Sequence, residues 1–169
     1  MNKQKKRFWL YAGIGFVFGI FDWFYLNWLA HISWGSLGES FLVVPIILAM
    51  NYGIWLVPLI PVVNYEAKNT QKIVNPMLAG MLTWSFAIFS YYAYYAILLS
   101  LGKLPHLEHL NVFGNKNEYF WTEYWNMFNR IIKGQFFEWI IIALIGGAII
   151  GALAFWLIHK KSRSLPNES

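Results

Sequence analysis

The sequence predicts an all-α integral membrane protein with four transmembrane helices and both termini in the cytoplasm. Three observations support this prediction. Hydrophobic residues make up 58% of the 169 residues and charged residues only 12%, about half the charged share of soluble domains. The apolar residues form four long runs separated by polar segments, and the basic residues behind the net charge of +5 cluster towards the two ends. A single membrane domain over residues 1–158 is therefore expected.

The first predicted span covers residues 8–30 and follows the basic segment MNKQKKR. At ~1.5 Å per residue it is about 35 Å long, which is enough to cross a bilayer. The run is too long for a secretory signal, contains Asp22 and Asn27, and is not followed by a small-residue cleavage pattern. We therefore expect an uncleaved first helix.

The second predicted span, residues 41–63, contains Pro45, Pro58 and Pro61, with Gly53 near its middle. Proline removes a backbone donor and kinks a helix. In lipid, the carbonyl groups that lose their partners must find others in neighbouring helices. This span is therefore expected to be bent and packed inside the bundle. The two remaining spans are predicted at residues 77–101 and 136–158.

The Lys and Arg residues near the span ends predict the orientation. The N-terminus, the loop at 64–76 and the C-terminal tail are basic, whereas the loop at 31–40 contains no Lys or Arg. The loop at 102–135 contains four, but it is longer and also contains three Glu residues. Both termini are therefore expected in the cytoplasm, and residues 159–169 are expected to form a disordered basic tail.

The long outer loop before the fourth span has a helical period. Asn115 with Glu118 fits a capping box, and Gly134 fits a helix stop. This pattern predicts an amphipathic helix near residues 118–133, lying on the outer face of the membrane as an anchor or as a lid over a pocket. Its apolar face is expected to consist of Trp121, Tyr124, Trp125, Phe128, Ile131 and Ile132.

Asp22 lies inside the first span, in the aromatic run FDWFYLNW. A charge at this depth costs at least ~2.5 kcal/mol unless something compensates it. None of the four predicted spans contains Lys or Arg. Three states are open: a protonated group, a carboxylate held by hydroxyl, amide or water donors, or a carboxylate paired with a cation from a ligand or another protein. The alternative interpretation is that Asp22 has only a structural role, as a neutral or hydrogen-bonded residue.

Other polar side chains are predicted at a similar depth when residues are counted from the span ends. Because aromatic faces attract cations, a carboxylate among Tyr and Trp rings suits an organic cation. The sequence therefore predicts an outward-facing aromatic pocket for a small amphipathic or cationic ligand. The candidate ligand-binding residues are Asp22, Tyr25, Asn51, Ser90, Tyr91, Tyr92, Tyr94 and Tyr95.

Glycines recur at a spacing that lets helix backbones approach closely, either within one chain or between subunits. These pairs are Gly15 with Gly19 and Gly147 with Gly151. The absence of cysteine excludes disulfides and thiolate sites. His106 and His109 are weak candidates for a metal site, since they would share a face of a helix. No cofactor, resident metal or nucleic-acid partner is expected.

Three functions follow from these observations. The leading hypothesis is a binding or transport component of the cell membrane, with its pocket around Asp22. Because four helices are few for a transporter acting alone, a homo-oligomer or a partner subunit in the bilayer is expected. The runner-up is a non-catalytic accessory or assembly subunit of a larger membrane complex. The third is a metal-dependent enzyme of the outer face that uses His106 and His109.

Overall fold

The computed structural model describes residues 3–36, 43–102 and 118–163, and every regular element in these ranges is helical. The all-helical class is therefore confirmed. The elements are α1 (Lys3–Ser36), α2 (Val43–Gly53), α3 (Leu56–Lys68), α4 (Val74–Ser100), α5 (Phe120–Met127), a π-helical turn (Phe128–Ile132) and α6 (Lys133–Arg163).

Three of the helical segments are long and apolar enough to cross a membrane by length and composition: Lys3–Leu29, Val74–Ser100 and Phe120–Lys160. Their outward-facing side chains are largely apolar and include Trp9, Val17, Ile97, Ile145 and Leu157. Such a surface suits a lipid environment, because a water-soluble protein rarely exposes contiguous apolar area on this scale. The protein is therefore an all-helical protein with three candidate membrane-spanning helices.

The second predicted span is not one continuous helix. α2 and α3 are separated by a break at Ile54 and Trp55. Pro58 explains this position, because a proline ring clashes with the carbonyl group four residues earlier. The Ile54 carbonyl instead accepts a hydrogen bond from the Val57 N–H at 3.0 Å. With 11 and 13 residues, neither α2 nor α3 alone has the about 20 residues that a transmembrane helix needs.

α1 and α4 lie side by side and run in the same direction. Near their N-termini, Gln4 Nε2 donates to Asn75 Oδ1 at 3.2 Å. Further along both helices, the rings of Trp23 and Tyr94 pack with their centroids 5.4 Å apart. Two parallel neighbours require the intervening chain to travel back along the bundle.

α2 and α3 together make this return. The Tyr25 hydroxyl donates a long hydrogen bond to the Met50 carbonyl at 3.4 Å, whereas Glu66, at the end of α3, lies 3.2 Å from Arg7 near the start of α1. The α2–α3 pair therefore runs antiparallel to α1. We call the end of the bundle that holds Lys3 and Lys68 the basic end, and the opposite end the far end.

α6 runs antiparallel to α4 and closes the bundle. Tyr92 donates a long hydrogen bond to Gln135 Oε1 at 3.4 Å, and α6 then descends to Arg163 at the basic end. α4 is the central element, since it packs along both α1 and α6, while α3 packs against α4 and α6. Both ends of the described chain therefore lie at the basic end.

Glycine permits the close contact between α1 and α4. A Cβ atom at Gly15 would collide with the Thr83 backbone, and one at Gly19 would collide with the backbone of Ala87 and the side chain of Ser90. The two backbones therefore touch directly, as small residues allow in membrane bundles.

The second glycine pair joins α6 to α4 in the same way. A Cβ atom at Gly147 would meet the backbone of Gly80, and one at Gly151 would meet the backbone of Pro76. All four glycines are thus covered by helices of the same chain. A partner subunit would have to bind at another surface.

The chain from Phe120 to Arg163 is helical throughout and includes the π-helical turn. Gly134 does not end a helix, contrary to expectation, and α6 continues beyond the predicted end at residue 158.

In α5 the buried side chains are Phe120, Tyr124 and Met127, whereas Trp121 and Trp125 are exposed. The predicted apolar face is therefore divided between the core and the surface. Asn115 lies outside the described residues, as do residues 164–169 of the predicted tail.

We expect Gly19→Leu to lower the stability of the protein by about 1–3 kcal/mol, the usual cost of overpacking, because the new side chain must push α1 away from α4. Gly13→Leu is the matched control, since a Cβ atom at Gly13 meets nothing within 4 Å. Thermal unfolding of the purified proteins in the same detergent measures the difference. Equal unfolding temperatures for the two variants would contradict the close contact.

Candidate functional site

Asp22 lies on the face of α1 that packs against the bundle. Tyr11, Gly15, Gly19 and Asp22 follow one another at three- or four-residue spacing and therefore share one face of the helix. All four are buried, and Asp22 has 0% of its surface exposed. The carboxyl group is thus enclosed by protein.

No described residue donates a hydrogen bond to either oxygen of the Asp22 carboxyl group. In most proteins a buried polar atom is paired, and an exception points to strain, to function or to a bound water molecule or ion. The nearest basic residue before it on α1 is Arg7, about 22 Å away at ~1.5 Å per residue, and Arg7 already faces Glu66. In the described part of the chain, Asp22 forms no ion pair with a Lys, Arg or His side chain.

The tyrosine cluster predicted at this level lies on one helix, α4, and its members face different neighbours. Tyr91 lies within electrostatic range of Asp22, Tyr92 and Tyr95. Tyr94 packs on Trp23 of α1 instead. Of the predicted tyrosines, Tyr91 is therefore the one with an electrostatic interaction with Asp22 in the described structure.

Several hydroxyl groups near this level are committed to other acceptors. Ser90 Oγ donates to the Ala87 carbonyl at 3.1 Å, and Tyr92 donates to Gln135. The Tyr95 hydroxyl is buried and, like Asp22, has no partner. Asp22 and Tyr95 are therefore both buried without a hydrogen-bond partner among the described residues.

The C-terminal end of α2 reaches the same level. Tyr25 donates to the Met50 carbonyl there, and Asn51 follows directly and is half-buried. The last four carbonyl groups of a helix lack partners within the helix, and they carry the negative end of its dipole. The N-terminal end of α3 follows three residues later, at Leu56, and carries the positive end of its own dipole. The break therefore adds dipole ends of both signs near the level of Asp22.

The contact between α1 and α4 closes the side of Asp22 that faces the basic end. Gly15 and Gly19 precede Asp22 along this face, and both backbones are in direct contact with α4. Direct backbone contact excludes water and ligands from this interface between α1 and α4, which we call the seam. A path to Asp22 along this seam can therefore open only from the far end.

A second buried carboxylate, Glu66, lies at the basic end and was missed by the sequence analysis. Its side chain has 0% exposure, its Oε2 accepts a hydrogen bond from the Tyr11 hydroxyl at 2.7 Å, and its Oε1 lies 3.2 Å from Arg7 Nη2. The contact with Arg7 is an ion pair without hydrogen-bond alignment, since Glu66 Oε1 and Arg7 Nε both lack a hydrogen bond.

Glu66 could have been recognised from its position on the buried stripe of α3. Leu59, Val62, Val63 and Glu66 follow the helical spacing, and all are buried. An acid on such a stripe requires a partner, and the basic N-terminus of α1 supplies it. The sequence analysis instead treated residues 64–76 as a loop and considered only its lysines.

The other candidate sites fall partly outside the described residues. His106 and His109 lie between residues 102 and 118, a segment the structure does not describe. In the described ranges, no group of three or more His, Cys, Asp or Glu side chains is placed to hold a metal ion.

No protein-family model matches the sequence, and no curated protein or solved structure is significantly similar to it.

We expect Arg7→Met to lower the stability by about 3–5 kcal/mol, because it leaves the Glu66 carboxylate buried without its partner. Arg7→Met combined with Glu66→Leu should recover most of this loss, since neither charge then remains. Lys6→Met is the matched control, because the Lys6 side chain is exposed. Chemical unfolding of the four proteins in one detergent gives the comparison. If Arg7→Met and Lys6→Met were equally stable, the ion pair would not be a significant interaction.

Proposed function

We propose that the chain is a multi-pass membrane protein that binds or transports a small amphipathic cation at Asp22. The observation that carries this proposal is the Asp22 carboxyl group, which is fully buried and unpaired on both oxygens. Acids within membrane segments are rare and usually mark ligand, ion or proton pathways. A purely structural acid would be expected to have a partner, as Glu66 has.

Two features favour a cation as the ligand. Asp22 is an acidic group without a counter-ion among the described side chains. The rings of Trp23 and Tyr94 are in contact between α1 and α4, and aromatic faces of this kind attract organic cations.

We further propose that the chain crosses the cell membrane four times. The parallel arrangement of α1 and α4 supports this, because the α2–α3 pair must return across the bundle between them. Neither half of this pair is long enough alone, so the second crossing is a broken helix. The basic end is the cytoplasmic end under this proposal, in keeping with the excess of Lys and Arg there. α5 then lies at or beyond the outer surface.

The natural absence of cysteine makes this topology directly testable. We expect Gln71→Cys to resist a membrane-impermeant maleimide in intact cells and to react only after permeabilisation, because it follows the second crossing. Leu101→Cys should react in intact cells, since it follows the third. Both positions are exposed: Gln71 lies in the connection between α3 and α4, and Leu101 directly follows α4. Labelling of both from the same side would be incompatible with a crossing by α4.

We expect the amphipathic cation tetraphenylphosphonium to stabilise the natural protein against heat, and Asp22→Asn to abolish this effect without unfolding the protein. A ligand at a hundred times its Kd stabilises by about 2.7 kcal/mol, which thermal unfolding in detergent resolves. Glu138→Gln is the matched control, since Glu138 is an exposed carboxylate of α6. Equal stabilisation of the Asp22→Asn variant would refute the proposed site.

The second candidate function is an accessory or assembly subunit, and the weak packing of α2 favours it. α2 packs mainly against α3, and Ile46, Met50 and Tyr52 on its surface are exposed. A partner helix, or a second copy of the chain, would cover this surface. Absence of cation binding by the natural protein, together with a stoichiometric protein partner in native mass spectra, would favour this function over the first.

A further inference from the structure

The means of neutralising Asp22 are limited by the groups that surround it. An uncompensated charge in the membrane interior costs at least ~2.5 kcal/mol. The hydroxyl groups of Tyr25, Ser90 and Tyr92 donate to other acceptors, and neither Asp22 oxygen accepts a hydrogen bond. The Tyr95 hydroxyl is buried and also has no hydrogen-bond partner, so it does not donate to Asp22. Hydroxyl donors on the described residues therefore do not hold the ionised form. A proton or a ligand cation would neutralise the group, which water molecules would not.

The other titratable groups near Asp22 do not take over this role. From α4, Tyr91 lies within electrostatic range of Asp22, and a phenol carries no positive charge in either protonation state. Glu138 of α6 interacts electrostatically with Tyr92, and it would add negative charge. From α3, Glu66 is paired with Arg7 at the basic end. Among these groups, none supplies a positive charge to Asp22.

We infer that a proton and an organic cation compete for the Asp22 carboxyl group, so that binding of the cation releases a proton. This inference rests on the proposed function and adds to it the chemical coupling of the site. In the exchange, the O–H bond of the carboxylic acid breaks, the proton leaves to the solvent, and the electron pair stays on the carboxylate. The incoming monovalent cation then neutralises this carboxylate, so the net charge of the site is unchanged.

The structure favours release of the proton towards the far end. The seam between α1 and α4 is closed on the basic side by Gly15 and Gly19, and beyond them Glu66 joins α3 to Arg7 and Tyr11 of α1. Asp22 itself has 0% exposure, so the far ends of the helices must separate for the exchange to occur. The described arrangement is therefore an occluded one.

The test is a titration of the full-length protein in detergent with tetraphenylphosphonium, a permanently charged cation that has no proton of its own to release. Calorimetry in two buffers with different ionisation enthalpies gives the number of protons released for each cation bound. The titrations are repeated between about pH 5 and about pH 9, the range around the ordinary and the buried values of a carboxyl group. Triphenylphosphine oxide, a neutral molecule of similar shape, is the control ligand.

The expected result is release of about one proton for each cation, and a Kd that falls about tenfold for each unit rise in pH over the range in which Asp22 is protonated. The neutral ligand should release no proton. Cation binding that Asp22→Asn abolishes, but that releases no proton and has the same Kd at every pH, would overturn the exchange and leave the proposed function standing. No binding by the natural protein, or unchanged binding by Asp22→Asn, would overturn both.

The measurement on the natural protein can refute the exchange alone, even if Asp22→Asn fails to fold. Glu138→Gln serves again as the matched variant, because it removes a carboxyl group that is exposed rather than buried. It should release the same number of protons as the natural protein. Loss of proton release in Glu138→Gln, with normal release in Asp22→Asn, would assign the proton to α6 and overturn the inference.

Discussion

The direct contact between the backbones of α1 and α4 is the constraint on which the rest of the structure depends. Gly15 and Gly19 allow it, because each position would place a Cβ atom inside the neighbouring helix. Since the two helices are parallel, the chain between them must cross back over the full height of the bundle. The same contact places Asp22, one turn further along, against α4 and away from solvent. Packing, topology and the position of the site thus follow from one seam.

The two buried carboxylates of the bundle differ in how they are compensated. Glu66 has a cation and a hydroxyl donor within 3.2 Å, whereas Asp22 has neither. A buried ion pair contributes little net stability, because desolvation offsets the attraction between the charges, but losing one partner is costly. Glu66 is therefore adequately explained as a link between α1 and α3. Asp22 has no such explanation within the described chain, and this difference is the reason for assigning the function to it.

The helical class could be predicted from composition. That Asp22 is an acid inside an apolar run, without a basic residue in the predicted spans, could be predicted from its position in the sequence. The height of each residue along the bundle could also be predicted, because helical rise is constant. The helix that packs against a given face could not be predicted, because periodicity identifies the buried face of a helix but not the helix that covers it. Glu66 was missed for this reason: its partner is Arg7, distant in sequence, and its polar surroundings near the end of α3 resemble a loop. Gly134 was misread because a glycine within a long helix is tolerated when packing on either side holds the helix together.

The break between α2 and α3 lies near the level of the unpaired acid Asp22. Pro58 causes it by ending the helical hydrogen bonding at Ile54, one turn closer to the basic end than the Tyr25–Met50 contact. The C-terminal end of α2 and the N-terminal end of α3 lie within three residues of each other there, so the break adds dipole ends of both signs. It therefore supplies no counter-ion to Asp22, whose compensation must come from another source. Because an uncompensated charge in the membrane interior costs at least ~2.5 kcal/mol, a site of this kind should remain neutral at all times, by holding a proton when it does not hold a ligand.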